Sequence, residues 1–133
     1  MNQEKALLLA EALESGKYNQ GYRVLERHTV QEDGSVKVTN CCLGVATRLA
    51  QEAGVQMDEV LDRSIVEFDG NSTSMTPKVA AWFGFRTQGA AFGDNEKDAE
   101  QIEGRSSLIG LNDEGDHTFA DIARIIRENW ERL

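Results

Sequence analysis

Proline occurs once in this chain and cysteine twice, and basic residues are outnumbered by acidic ones, 14 against 23. Each shortage removes a class of protein. No stretch reads as a linker or a low-complexity tail. The two cysteines are neighbours, Cys41 and Cys42, and a bridge between neighbours strains the peptide that joins them. They read as free thiols of a reducing compartment rather than as a disulfide framework. They also lack the two-residue spacing of a zinc pair, and His28 and His117 stand apart from other ligand-type residues, so no metal and no cofactor is expected. No apolar run approaches a membrane span, and Met1-Asn2-Gln3-Glu4-Lys5 has no signal-peptide pattern. The expectation is a cytoplasmic protein with no membrane partner. A net charge of −9 argues against a nucleic-acid partner, whose phosphates require a basic face. The densest acidic stretch, Asp94, Glu96, Asp98 and Glu100, is interrupted and reads as solvated surface.

What remains is 133 residues, 40% of them hydrophobic, enough for one domain with one core. Apolar spacing predicts a first helix over 2–15 that Gly16 stops. A polar loop from Ser15 to Gly21 follows. Tyr22 to Val30 and Val36 to Val38 are rich in strand formers, and Asp33-Gly34 between them signals a hairpin. Asn40 reads as the cap of a second helix over 41–53, whose face of Cys42, Val45, Ala46, Leu49 and Ala53 is buried. Residues 58–61 read as a helical turn, and 64–68 as a short strand. Thr76-Pro77 opens a short helix to Phe83, with Trp82 as a core anchor. Residues 86–107 hold three glycines and little periodicity and read as an extended loop, mobile or protruding. A last helix starts at Thr118, with Asp121 as its capping partner and Trp130 as a candidate dimer surface. The fold class expected is α+β: about four helices packed around a small β-hairpin or short antiparallel sheet, in a single domain over 1–133.

Several blocks then occur together: Ser15-Gly16-Lys17-Tyr18-Asn19-Gln20-Gly21, Cys41-Cys42-Leu43-Gly44-Val45, Pro77 to Gly84, and Leu111-Asn112-Asp113 followed by Thr118-Phe119-Ala120-Asp121-Ile122-Ala123. In this order they resemble a group of small, largely uncharacterised proteins of bacteria and tailed phages. The resemblance implies an accessory role toward a host, in the host cytoplasm where a phage encodes the chain. It supplies no activity.

Three functional readings follow from the residues. In the first, the chain binds a small anionic or nucleotide-derived ligand, such as a host immune signal, without catalysis. Tyrosine offers stacking area, carboxamides read hydrogen-bonding edges and cations meet phosphate or carboxylate. The contacts would be Lys17, Tyr18, Gln20, Arg23, Arg86 and Gln88. Cys41 and the helix start would form an anion-facing floor through backbone N–H groups. Pockets shared within a homo-oligomer fit this reading. Turn formation alone also explains most of the residue types between Lys17 and Arg23. In the second reading, a thiol of Cys41 or Cys42, activated at a helix start, works with His117 as base in a hydrolase or transferase, oriented by Asn112, Asp113 or Asp116. Against it, Cys42 shares a face with core residues. In the third, the acidic surface and the 86–107 loop inhibit a host protein.

Overall fold

The computed structural model describes residues 1–133. Helix α1 (Gln3–Glu14) starts where Asn2 Oδ1 accepts from the Lys5 N–H at 3.2 Å, and ends at Gly16, whose φ of +76° turns the chain away. Strands β1 (Glu26–Val30) and β2 (Val36–Asn40) form the expected hairpin, with Asp33 Oδ1 accepting from the Ser35 N–H inside the turn. Helix α2 (Cys42–Glu52) follows, then a second hairpin, β3 (Glu59–Asp62) and β4 (Ile65–Phe68). Helix α3 (Pro77–Phe83) is capped by Thr76, α4 (Leu108–Glu114) by Ser107, and α5 (Phe119–Asn129) by a Thr118–Asp121 capping box; a 3₁₀ turn over Trp130–Arg132 ends the chain.

The four strands form one antiparallel sheet in the order β2-β1-β4-β3, so the fold is α+β. Directly opposed residues point to the same side of a sheet. Glu26, His28 and Val30 therefore share a face with Asn40, Val38 and Val36, and with Val66 and Phe68 of β4. This face meets the helices at the Glu26, Asn40, Val66 and Phe68 end, where all four are buried. At the other end Val30, Val36 and Val38 run out past the helix layer and stay exposed. The core lies between that face and the helices, with α1 packed along α5 and Leu9, Leu43, Phe83, Leu111, Ile122 and Ile126 at its centre.

Several expectations are corrected. There are five α-helices rather than about four: α4 is a single short piece containing Gly110, too brief to show a period. Residues 59–62 are a strand, because Val60 and Leu61 pair with Glu67 and Val66, a partner choice no local pattern reveals. The first strand starts at Glu26 rather than Tyr22, since Arg23 takes a φ of +71° and Leu25 N–H is bonded to Ser72 O. Asn40 does not cap α2. It is the last residue of β2, its amide turned to Leu25 O and Glu26 Oε1, and Cys41 occupies the cap position with no side-chain bond of its own. Residues 86–107 hold no helix or strand, but they are not a free arm. Ala90, Ala91 and Phe92 are buried, and Phe92 N–H to Ser106 O and Leu108 N–H to Ala90 O, each 2.9 Å, close the segment on itself.

Two close approaches fix how α2 meets the sheet. A Cβ at Gly44 would lie 1.7 Å from Leu25 O, so only glycine lets the helix backbone this near. The N-terminus of α2 is closed by Asn112 from α4: its Oδ1 accepts from Cys42 N–H and from Gln20 Nε2, both at 3.2 Å. Its Nδ2 donates to Gly21 O at 2.9 Å and Asp113 Oδ1 at 2.8 Å. Replacing Asn112 with alanine leaves the buried Cys42 N–H and Gly21 C=O without partners. A stability loss of about 2–4 kcal/mol is expected by urea denaturation; a change under about 0.5 kcal/mol, the range of an ordinary surface substitution, would contradict this role.

Candidate functional site

An open cleft of about 660 Å³ lies between the β1–β2 hairpin, the C-terminal half of α2 and the loop after α1. Lys17, Tyr18 and Asn19 form one wall, Val36, Lys37 and Val38 the opposite one, and Glu26, Asn40, Arg48 and Glu52 the base. The loop wall is fixed by backbone bonds to the end of β2: Asn40 N–H donates to Asn19 O at 2.9 Å and Gly21 N–H to Asn40 O at 2.7 Å. Asn19 Nδ2 adds a bond to Val38 O at 3.2 Å. Tyr18 is half-buried against the core, and burial pushes its hydroxyl pKa up, with the nearby Glu52 carboxylate adding to the rise. The Lys17 ammonium lies 5.7 Å from the centre of the Tyr18 ring and 3.8 Å from Glu52 Oε1.

The base of the cleft is a charge network that sequence reading missed. Glu26 is 3% exposed and is bound on both oxygens. Oε1 accepts from Arg48 Nε at 2.7 Å and Asn40 Nδ2 at 2.9 Å; Oε2 accepts from Arg48 Nη2 at 2.5 Å and meets His28 Nε2 at 2.8 Å. Arg48 reaches on to Gln51 and Glu59, and its guanidinium lies over the Phe68 ring at 4.9 Å. Burial alone would raise the Glu26 pKa, but the Arg48, His28 and Asn40 bonds outweigh it and bring it down to about 2. The Glu26 and Glu59 carboxylates in turn hold the Arg48 charge firmly in place. Arg48 is therefore already neutralised, and the cation left for a ligand on this face is Lys17, shared with Glu52; Lys37, paired with Thr29, projects from the other face of the sheet.

Of the residues expected to bind a ligand, only Lys17 and Tyr18 line this cleft. Gln20 is turned inward, its amide on Asn112 and on His117 O. Arg23 lies outside the cleft, in the loop that Asp113 Oδ1 holds by the Arg23 backbone N–H at 2.8 Å. Arg86 belongs to a separate hollow, bonded to Asp94 at 2.9 Å and to Glu131 O at 3.0 Å, and Gln88 donates to Met75 O at 2.7 Å. The pocket expected between the 17–23 and 86–95 segments is thus not formed. Cys41 gives no anion-facing floor either, since the helix start is buried and sealed by Asn112.

The thiols are equally inaccessible. Cys41 is 1% exposed, and burial pushes its pKa up to about 12, against the small lowering from the helix-start N–H groups. Cys42 is pushed well above the ordinary thiol range by the same cause, its Sγ placed 3.6 Å from Leu108 O. His117 meets Glu103 through Nε2 at 3.3 Å, and its Nδ1 is buried with no partner; no imidazole is bonded to either sulfur. The helix-start field that favours a thiolate is real but loses to desolvation.

The missed residues left a partial signal. Glu26, His28 and Val30 alternate, which places acid, imidazole and valine on one strand face. No sequence spacing says that Arg48 lies opposite, because that depends on how α2 crosses the sheet.

Two outcomes follow. Glu26 has a folded pKa of about 2 against an ordinary 4.5, so its contribution is whole above about 4.5 and is lost as the pH falls toward 2. It amounts to about 3 kcal/mol. Urea denaturation should show the stability gap between the native chain and Glu26→Gln closing over that window; a gap independent of pH would contradict the network. Native protein at pH 8 should leave both cysteines unlabelled by a thiol reagent and expose both in denaturant. Fast labelling of the folded chain would revive the nucleophile.

No helix is long and apolar enough to cross a membrane. No curated protein and no solved structure matches the chain. A family model matches residues 1–130, and the chain belongs to that family, a domain of unknown function, DUF8296.

Proposed function

We propose that the protein is a non-catalytic binding domain whose ligand occupies the cleft between the hairpin and the 17–19 loop, and that this ligand is a small anion of nucleotide type. The observation that carries the reading is the convergence of Lys17, Tyr18 and Asn19 opposite the Val36–Val38 strand on one hollow of about 660 Å³, within the size range of small-molecule sites, roughly 300–1,000 Å³. The tyrosine ring offers a stacking surface, the carboxamide a reading edge, and the Lys17 ammonium a place for phosphate. The cleft base is held by the Glu26–Arg48 network, so little ordering is required when a ligand arrives. Chemistry at sulfur has no support, with both thiols buried and protonated. The resemblance to small bacterial and phage proteins makes a host signalling nucleotide the first ligand to try, and sequestration the corresponding role.

The test is a titration of labelled protein with nucleoside phosphates and cyclic dinucleotides, followed by NMR. Shifts should concentrate at Lys17–Asn19 and Val36–Val38. Lys17→Ala should weaken binding about tenfold, the worth of a charge-assisted contact. Shifts centred instead on Arg86 and Asp94, or none at millimolar ligand, would sink the proposal.

A further inference from the structure

The same cleft runs along an edge of the sheet that is left unpaired. In the β1–β2 ladder, Asn40 turns its N–H and C=O outward, to Asn19 O and from Gly21 N–H. Alternation then turns the backbone groups of Val38 and Val36 outward too. Segment 19–21 runs parallel to β2 beside Asn40, but the chain leaves the edge at Tyr18. Asn19 supplies only a side-chain bond, to Val38 O. The Val38 N–H and the N–H and C=O of Val36 meet no partner, and both valine side chains are solvent-facing, 36% and 55% exposed.

We infer that this edge takes the carboxy-terminal end of an extended peptide, added as a short parallel strand beside Val36–Val38. The inference rests on the reading of the cleft as a binding site and names a second class of ligand for it. Exposed strand edges with unmet backbone groups accept strands by main-chain bonding. Here the available edge is short and walled: a strand continuing past Val38 would run into Asn19, whose place beside Asn40 is already taken. A chain that ends there fits, and a chain that passes through does not. The charge at the wall selects which end. Lys17 stands there, 3.8 Å from Glu52, whereas Glu26 is engaged with Arg48, and Lys37 projects from the other face of the strand. A terminal carboxylate meets the Lys17 ammonium; a terminal ammonium is repelled by it. Val36 and Val38, on the cleft side of the sheet, offer apolar contacts to alternate side chains of the incoming strand.

The experiment uses an acetylated pentapeptide of alternating valine and threonine, with a free carboxylate and in amidated form, titrated into the labelled full chain. The free peptide should shift the Val36, Lys37 and Val38 amides, and amidation should weaken binding at least tenfold, as should Lys17→Ala. Val38→Pro removes an outward N–H and leaves the β1 ladder bonds intact, so it should abolish peptide binding. Should Val38→Pro unfold the chain, the comparison of free and amidated peptide on the native protein decides alone. Equal binding of the two peptides, or no shift at Val36–Val38 at millimolar peptide, overturns the inference. So does an edge already filled by a second copy, seen as a dimer by sedimentation that Val38→Pro converts to monomer. Nucleotide shifts without peptide shifts would leave the cleft proposal standing and this one refuted; silence from both would end both.

Discussion

The structure depends on one buried carboxamide. An asparagine side chain has two acceptor and two donor capacities, and Asn112 uses all of them, fully enclosed. Through them α4 holds the first free N–H of α2, the carbonyl of Gly21, the Gln20 amide and the neighbouring Asp113. Asp113 in turn holds the Arg23 N–H. Three segments far apart in sequence are thereby fixed in one register. Because segment 19–21 is pinned at its inner end, its outer end at Tyr18 is presented along β2, and a cleft exists between them. A fully satisfied polar cluster of this kind specifies one arrangement, since any other leaves buried donors unmet.

The second constraint is electrostatic. Glu26 could not remain charged at this depth without Arg48, and Glu26 and Glu59 hold Arg48 over the Phe68 ring. The network joins β1, β2, α2 and β3 at the floor of the cleft. Its net worth as a buried ion pair is modest once desolvation is counted, but loss of one partner would strand a buried charge. It also withdraws Arg48 from ligand binding. A strong cation at the base of the cleft is spent on structure, so the proposed recognition falls to Lys17 at its rim.

Much of the fold was legible because local chemistry decided it. Asp33-Gly34 made the hairpin, Thr76-Pro77 and Thr118–Asp121 started helices, and Gly16 stopped one. What was not legible was decided by partners distant in sequence. Val60 and Leu61 carry no period, and only pairing with β4 makes them a strand. Asn40 has the chemistry of a helix cap, yet it prefers Glu26, and Asn112 takes over the cap from another element. The candidate site failed for the same reason. Residues 17–23 and 86–88 share a composition suited to ligands, but Gln20 and Gln88 spend their amides on main-chain carbonyls, and Arg86 faces Asp94. Composition reports what a side chain can bond; only the fold reports what is left unbonded.

That distinction also explains the resemblance-bearing blocks. The paired cysteines, Gly44, Gly21, Gln20 and the Asn112-Asp113 pair meet in a single buried knot, where a Cβ at Gly44 would strike Leu25 O and one at Gly21 would come within 2.8 Å of the Thr39 hydroxyl. A reactive thiol would need solvent, and this knot excludes it. The cysteine turn and the Asn112-Asp113 pair therefore support the wall of the cleft from behind, while the cleft itself is faced by Lys17, Tyr18 and Asn19 of the first block and by the plain strand Val36-Lys37-Val38. Scaffold and recognition surface are carried by different residues. Under the proposed function, ligand choice can then change by substitution along β2 or at Lys17 without disturbing the packing that holds the hollow open.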